Sequence, residues 1–268
     1  MKKAMIFAAG LGTRLMPLTS NKPKALVCLR GKPLLRHVVE RLVDEGFLHL
    51  TINVHHFASQ IKDYLLSANF QEFVRAKGLT IQVSDESEAL LDTGGGLKKA
   101  SPLLFAHDAD PVLLHNVDIW SNARLSHLYC EIGCADALLL VSQRATSRYL
   151  LFDNAMRMVG WENIKTGEVR SPYSESALRG CRRLAFSGIH VVNKSLVDAM
   201  ADWPDKFGIM DFYIKSCGDL CIRGIEDSGL KLVDVGKVDV LNKLEAQETH
   251  CDADLSTDSA RSFVSNPH

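Results

Sequence analysis

The residues best suited to chemistry sit in one N-terminal loop. Ala9, Gly10, Gly12 and Thr13 lead into Arg14, and Lys22, Pro23 and Lys24 follow. Glycine lets a backbone approach a phosphate and aim N–H groups at it. The Arg14 guanidinium offers a planar fork of donors to phosphate oxygens, and lysine supplies a point charge. The loop is therefore expected to bind a polyphosphate. Lys22 is divided between a phosphate contact and a solvated position.

Acidic residues recur where apolar runs end. Asp118 follows Val112 to Val117, and Asp234 follows Leu230 to Val233 with Gly236 two residues on. At the carboxyl edge of a parallel sheet, such positions face bound ligands. Two carboxylates there can share one magnesium ion, or each can cap the helix that follows. Glu86 and Glu88 precede Thr93, Gly94, Gly95 and Gly96, a segment able to bring N–H groups close to a ligand. Ser187 and Gly188 interrupt the apolar stretch Leu184 to Val192, which marks either a bulge or a ligand's approach.

Several alternatives are excluded or weakened. The loop lacks Gly-Lys-Ser/Thr, so it is not the usual P-loop. It also lacks the third glycine of a dinucleotide fingerprint, and the run ending at Val54 has no acidic residue to hold a ribose. Pro17 and Pro23 forbid a helix starting directly at the glycines. A formal net charge of -1 gives no sign of nucleic acid or an anionic membrane as partner. No apolar run approaches the roughly 18 residues of a membrane span, and the run behind Lys3 is too short for a signal peptide. The seven cysteines, with no Cys-x-x-Cys among them, read as reduced, mostly buried thiols of a cytoplasmic protein. Cys130 with Cys134, and Cys217 with Cys221, have the spacing of one helix face. His55 and His56 read as a strand-end polar pair.

The elements that must position these residues alternate through the first half. Strands are expected at 4–9, 48–54, 79–84, 112–114 and 137–141. Helices are expected at 33–46, 57–68, 95–105 and 122–132. This alternation predicts an α/β fold, Rossmann-like, with a mostly parallel sheet flanked by helices. In the second half a hairpin is expected at 149–160 and strands at 184–192, 220–225 and 230–235. Helices are expected at 195–202, 209–217 and 237–248. Residues 162–183 read as a polar, irregular excursion with five basic residues, serving either as a lid over an anion or as a solvated loop. One domain is expected over 1–250, with residues 251–268 as a disordered tail.

The loop residues Gly10 to Arg14 with Pro23 and Lys24 resemble the signature of the sugar-1-phosphate nucleotidyltransferases. The resemblance continues, in the family's order, at Asp92 to Gly96, Asn116 to Asp118, Phe186 to Gly188 and Val233 to Gly236, covering about residues 1 to 248. Within the family the chain is most similar to bacterial N-acetylmuramate-1-phosphate uridylyltransferases and mannose-1-phosphate guanylyltransferase-like proteins. The resemblance implies the nucleotide-diphospho-sugar transferase fold. The partners it implies are a nucleoside triphosphate and a sugar 1-phosphate, with Mg2+ as cofactor. It implies Asp118 and Asp234 as the metal ligands and Arg14 and Lys24 as the catalytic cations. Ala9, Gly10, Gly12, Thr13, Glu86, Gly94 and Gly95 would bind the nucleotide. Asn116, Ser187 and Gly188 would bind the sugar. An inactive sensor on the same fold would be expected to have lost Arg14, Lys24 or an aspartate, and all are present.

Overall fold

The computed structural model describes residues 1–255, with side chains to residue 246. The first half comprises β1 (Lys3–Phe7), single 3-10 turns at Thr13–Leu15 and Lys24–Leu26, a ribbon of β2 (Cys28–Leu29) and β3 (Lys32–Pro33), and α1 (Leu34–Asp44). It continues with β4 (His49–Val54), α2 (Ala58–Leu66), α3 (Ala68–Lys77), β5 (Thr80–Asp85), α4 (Asp92–Leu104) and β6 (Val112–Asn116). The second half holds β7 (Ile119–Ser121), α5 (Leu125–Cys130), β8 (Ala137–Ser142), β9 (Arg148–Phe152), β10 (Met158–Asn163), β11 (Glu168–Arg170) and β12 (Arg182–Val192). It ends with α6 (Lys194–Asp198), α7 (Ile209–Ser216), β13 (Ile222–Glu226), β14 (Leu232–Asp234) and α8 (Val238–Leu255).

The run behind the N-terminus forms a strand because it is covered on both sides. Ala4 and Ile6 of β1 enter one apolar cluster with α1, α2, α3 and α5. Met5 and Phe7 enter the other with α4, α6 and α7. β1 pairs in parallel with β4 and β6, and β4 with β5, so the central sheet is parallel with helices on both faces. α1 illustrates the packing: Leu34, Leu35, Val38, Val39 and Leu42 are buried at helical spacing, and Gly46 at φ +82° ends it.

Beyond β6 the sheet turns antiparallel. β12 pairs with β6 over Ile189–Val192, on its other side with β8 over Ala185–Val192, and nearer its start with β9 over Arg182–Leu184. β8 therefore runs parallel to β6, and the ends of β1, β6 and β8 lie on one carboxyl edge. The 162–183 segment, expected to be irregular, begins with the end of β10 and contains β11, which folds back antiparallel on β10 so that Arg170 faces Trp161. Three of its basic residues are committed to carboxylates: Arg170 to Asp211 at 2.8 Å, Arg183 to Glu162 at 2.5 Å, and Arg182 to Glu226.

Further expectations change. α3 was not anticipated, because Phe70 alone is buried on it and its periodic signal is weak. The six cysteines with described side chains are free, but only Cys217 is buried, while Cys28, Cys130 and Cys134 are exposed. Cys134 and Cys221 lie past their helices, so neither pair shares a helix face. α8 continues past the expected end at 248 to Leu255, and the rest of the expected tail, 256–268, lies outside the described residues. Among the described residues no helix is long and apolar enough to cross a membrane.

Candidate active site

The glycine loop leaves β1 at the carboxyl edge of the sheet. Gly12 is obligatory there: its φ is +68°, and an added Cβ would lie 2.9 Å from the Thr19 methyl and 3.0 Å from Lys24 Cβ. The Thr19 hydroxyl donates to the Gly12 carbonyl at 2.9 Å and fastens the turn. Gly10 differs, since a Cβ there would meet nothing within 4 Å. Its backbone borders open space, as phosphate approach requires. Ala9, Gly10, Arg14, Lys24, Asn116 and Asp118 line one cleft of about 330 Å3 with Phe7, Asn53, Leu90, Asp92 and Thr93. That volume suits a small molecule. Gly12 and Thr13 shape the loop and the turn that presents Arg14.

Asp118 and Asp234 meet although they are far apart in sequence. β7 and β14 form an antiparallel ribbon in which Ile119 faces Asp234, and the Val235 N–H donates to the Asp118 carbonyl at 2.9 Å. Arg14 spans the two acids, with Nη1 3.0 Å from Asp234 Oδ2 and Nη2 3.4 Å from Asp118 Oδ2. Lys24 Nζ also donates to Asp118 Oδ2. Burial opposes charge on Asp234. The Arg14 hydrogen bond, the Gly236 N–H and the Arg14 charge outweigh it and hold the carboxyl below its usual range. Neither aspartate acts merely as a helix cap.

Gly236 completes this arrangement. A Cβ there would lie 2.7 Å from both Asp118 Oδ2 and Asp234 Oδ1, and 2.9 Å from Arg14 Nη2. The absent side chain leaves a cradle walled by two hard oxygen donors, which fits a magnesium ion. Among the described residues no group of three or more His, Cys, Asp or Glu could hold a metal. A cation on this pair would thus take its other ligands from phosphate and water, the habit of magnesium.

The structure gives three expected nucleotide contacts other partners. Glu86 is fully buried, and its Oε1 accepts from Asn53 Nδ2 at 2.7 Å, while Asn53 Oδ1 accepts from the Ala8 N–H at 2.7 Å. Burial raises its carboxyl above the usual range, against the lowering effect of the Asn53 bond. Glu86 therefore braces the root of the glycine loop from below. Gly94 and Gly95 both donate their N–H groups to the Phe207 carbonyl, at 2.9 and 3.2 Å. A Cβ on Gly94 would lie 2.2 Å from the Phe207 ring, and one on Gly95 2.0 Å from the Asp205 carbonyl. These glycines serve a close approach of the 205–208 segment, which takes up the donors expected to face a ligand.

Ser187 and Gly188 form the irregularity in β12, where register with β8 shifts between Phe186 and His190. Gly188 has φ +81°, and a Cβ would lie 2.7 Å from Asn116 Nδ2, so the bulge packs directly on a cleft residue. Sequence reasoning missed Asn53 and Asp92 as cleft residues. Asn53 was detectable as one of two polar residues, with Thr51, in the otherwise apolar run Leu50 to Val54. Asp92 adopts φ +62°, which sequence does not announce.

A cationic glycine loop and a carboxylate pair thus meet beside a small-molecule cleft on the carboxyl edge of the sheet. Residues 3–137 match the Nucleotidyl transferase family. The N-acetylmuramate alpha-1-phosphate uridylyltransferase of Caulobacter vibrioides is 44% identical over 238 residues, spanning 85% of this chain and 90% of that protein. The mannose-1-phosphate guanylyltransferase catalytic subunit beta of Xenopus tropicalis is 38% identical over 117 residues, 44% of this chain and 31% of that one. A putative glucose-1-phosphate thymidylyltransferase from Bacillus anthracis shares the fold, with a TM-score of 0.73 at 16% identity over 99% of this chain and 98% of its own. The chain belongs to the nucleotidyl transferase family, as an enzyme of the sugar-1-phosphate nucleotidyltransferase class.

Proposed function

We propose that the protein is a magnesium-dependent uridylyltransferase that joins UTP and N-acetylmuramate 1-phosphate, giving a nucleotide sugar and pyrophosphate. The cleft lined by Arg14, Lys24 and Asp118, with Asp234 joined to it through Arg14, carries the reaction. The substrate identities are supported by the relative that this chain matches over most of its length. Such a product is an activated precursor for cell wall or surface glycan, made in the cytoplasm.

The residues divide the task. The Gly10 backbone and Arg14 hold the triphosphate, and Arg14 stabilises the β- and γ-phosphates as pyrophosphate leaves. Lys24 lies against Asp118 and faces the reacting centre, where it balances charge on the attacking phosphate. Asn116 and the Ser187–Gly188 bulge flank the sugar. A phosphate oxygen of the sugar 1-phosphate attacks the α-phosphorus in line, and the bond to pyrophosphate breaks. The attacking phosphate is already ionised, so no general base is required. Positioning and charge carry the catalysis. Asp118 and Asp234 would hold magnesium, which, when bound, supplies a Lewis acid that neutralises phosphate charge.

The test is pyrophosphate release over a grid of nucleoside triphosphates and sugar 1-phosphates. UTP with N-acetylmuramate 1-phosphate should give the highest kcat/KM, and a clear preference for another pair would overturn the substrate assignment. Asp118→Asn and Asp234→Asn should each raise the magnesium needed for half-maximal rate and lower the rate, since a neutral amide is a poorer ligand for a hard cation. Full activity of Asp234→Asn at low magnesium would remove Asp234 from the metal site.

A further inference from the structure

We propose that Arg144 is a specificity-determining residue that binds a carboxylate carried on the sugar of the sugar 1-phosphate. The inference rests on the sugar 1-phosphate reading above and on the place of Arg144 in the sheet. β8 pairs with β12 at Ala185 and Phe186 and β9 pairs with it at Arg182–Leu184, so residues 143–147, which connect the two strands, run close to Phe186. At that level β12 has just left β6, whose last pair is His115 with Ile189, and the Ser187–Gly188 bulge opens toward Asn116. Because β8 runs parallel to β6, this connection lies on the same carboxyl edge as Asp118.

The two polar residues after β8 turn to different partners. Gln143 Nε2 donates to Glu226 Oε1 on β13 at 2.7 Å, away from the cleft. Arg144 turns toward β12, where Nη2 donates to the Phe186 carbonyl at 2.8 Å. Two residues along β12, about 6–7 Å, separate Phe186 from Gly188. The guanidinium is thus beside the bulge that flanks the sugar.

The charge of Arg144 is uncommitted. Its one hydrogen-bond partner among the described residues is a neutral carbonyl, and it is exposed. Of the arginines on β11 and β12, Arg170 pairs with Asp211, Arg182 with Glu226 and Arg183 with Glu162. A guanidinium with most of its five donors free is matched by a carboxylate, which it binds in a bidentate fork. A neutral sugar would leave this charge in water and gain nothing from it. N-acetylmuramate carries such a carboxylate on its lactyl ether, and N-acetylglucosamine is the same sugar without it.

The two sugar 1-phosphates are therefore the probes, compared by steady-state kinetics and by competition binding in the wild type, Arg144→Ala and Arg144→Lys. Arg144→Ala should raise KM and Kd for N-acetylmuramate 1-phosphate about tenfold or more. Its kcat should stay within about twofold, as expected when a charge-assisted contact outside the reacting atoms is lost. Kd for N-acetylglucosamine 1-phosphate and KM for the triphosphate should not change, and Arg144→Lys should recover part of the loss. Unchanged binding of the carboxylated probe in Arg144→Ala, or equal weakening of both probes, would overturn the proposal. A wild type that ignores N-acetylmuramate 1-phosphate would remove the substrate reading itself, and this inference with it.

Discussion

Arg14 carries the largest single expected effect among the site residues. Its guanidinium is half-exposed, yet two carboxylates orient it over the cleft. Arg14→Ala should lower kcat by one to three orders of magnitude, on the order of the ~2–4 kcal/mol lost with one transition-state donor. Steady-state pyrophosphate release checks this, with an unchanged melting temperature showing that the fold is intact. Buried histidines set a different property. Burial pushes His115 down to about 4 and His190 down to about 3, and neither ring nitrogen of His190 has a partner. Folding keeps both neutral, while the unfolded chain takes up protons below about pH 6.5. Their contribution to stability is full above that pH and is lost as pH falls toward the folded values, at up to about 1.4 kcal/mol per unit for each ring. The melting temperature should drop between pH 7 and pH 5. His190→Phe keeps the ring contacts with Phe186 and Tyr213 and should reduce that drop by roughly half. At this scale the sequence singled out Arg14, Lys24, Gly10 and both aspartates by type and neighbours, and the structure brings Arg14, Lys24 and the two aspartates into contact. It misdirected on Glu86, because a carboxylate after a strand looks the same whether it ends in solvent or turns inward onto Asn53.

Elements explain what spacing could not. The strands of the parallel centre were legible because burial on both faces leaves continuous apolar runs, as in β1, β6 and β8. The ribbon that unites the two aspartates was not, since β7 and β14 have three residues each and only half-buried side chains. The triple glycine was legible as a close approach, but not as an approach of protein to protein. α4 and the 205–208 segment dock through Gly94 and Gly95, and the contact fixes the start of α4, where Asp92 and Thr93 enter the cleft. Gly95→Ala drives a Cβ to 2.0 Å from the Asp205 carbonyl, a rigid backbone atom. It should destabilise the protein by about 3 kcal/mol or more, seen as a fall of about 6 °C or more in melting temperature. Gly10→Ala meets no atom within 4 Å, so its melting temperature should stay near that of the wild type. Similar losses from both substitutions would mean that general backbone freedom, not the docking contact, sets the need for glycine.

At the scale of the molecule, the cleft draws on two differently built parts of one sheet. The parallel part, β5-β4-β1-β6, supplies the glycine loop, Asn53 and Asp118, and the antiparallel part around β12 supplies the bulge. A ligand that binds the native cleft and not the unfolded chain stabilises the whole chain by RT ln(1 + [L]/Kd), about 2.7 kcal/mol at a hundredfold excess over Kd. For a chain of this size that corresponds to roughly 5–10 °C in melting temperature. UTP with magnesium should give a rise of this order, and NAD should give none, because the loop lacks the third glycine and the ribose acid of a dinucleotide site. Asp118→Asn should remove the part of the UTP shift that depends on magnesium and leave the part due to Arg14 and the loop backbone. Arg14→Ala should do the reverse, weakening the shift both with and without the metal. If both variants responded to UTP as the wild type does, the triphosphate would bind away from this cleft, and the roles given to the loop and the carboxylate pair would fall together.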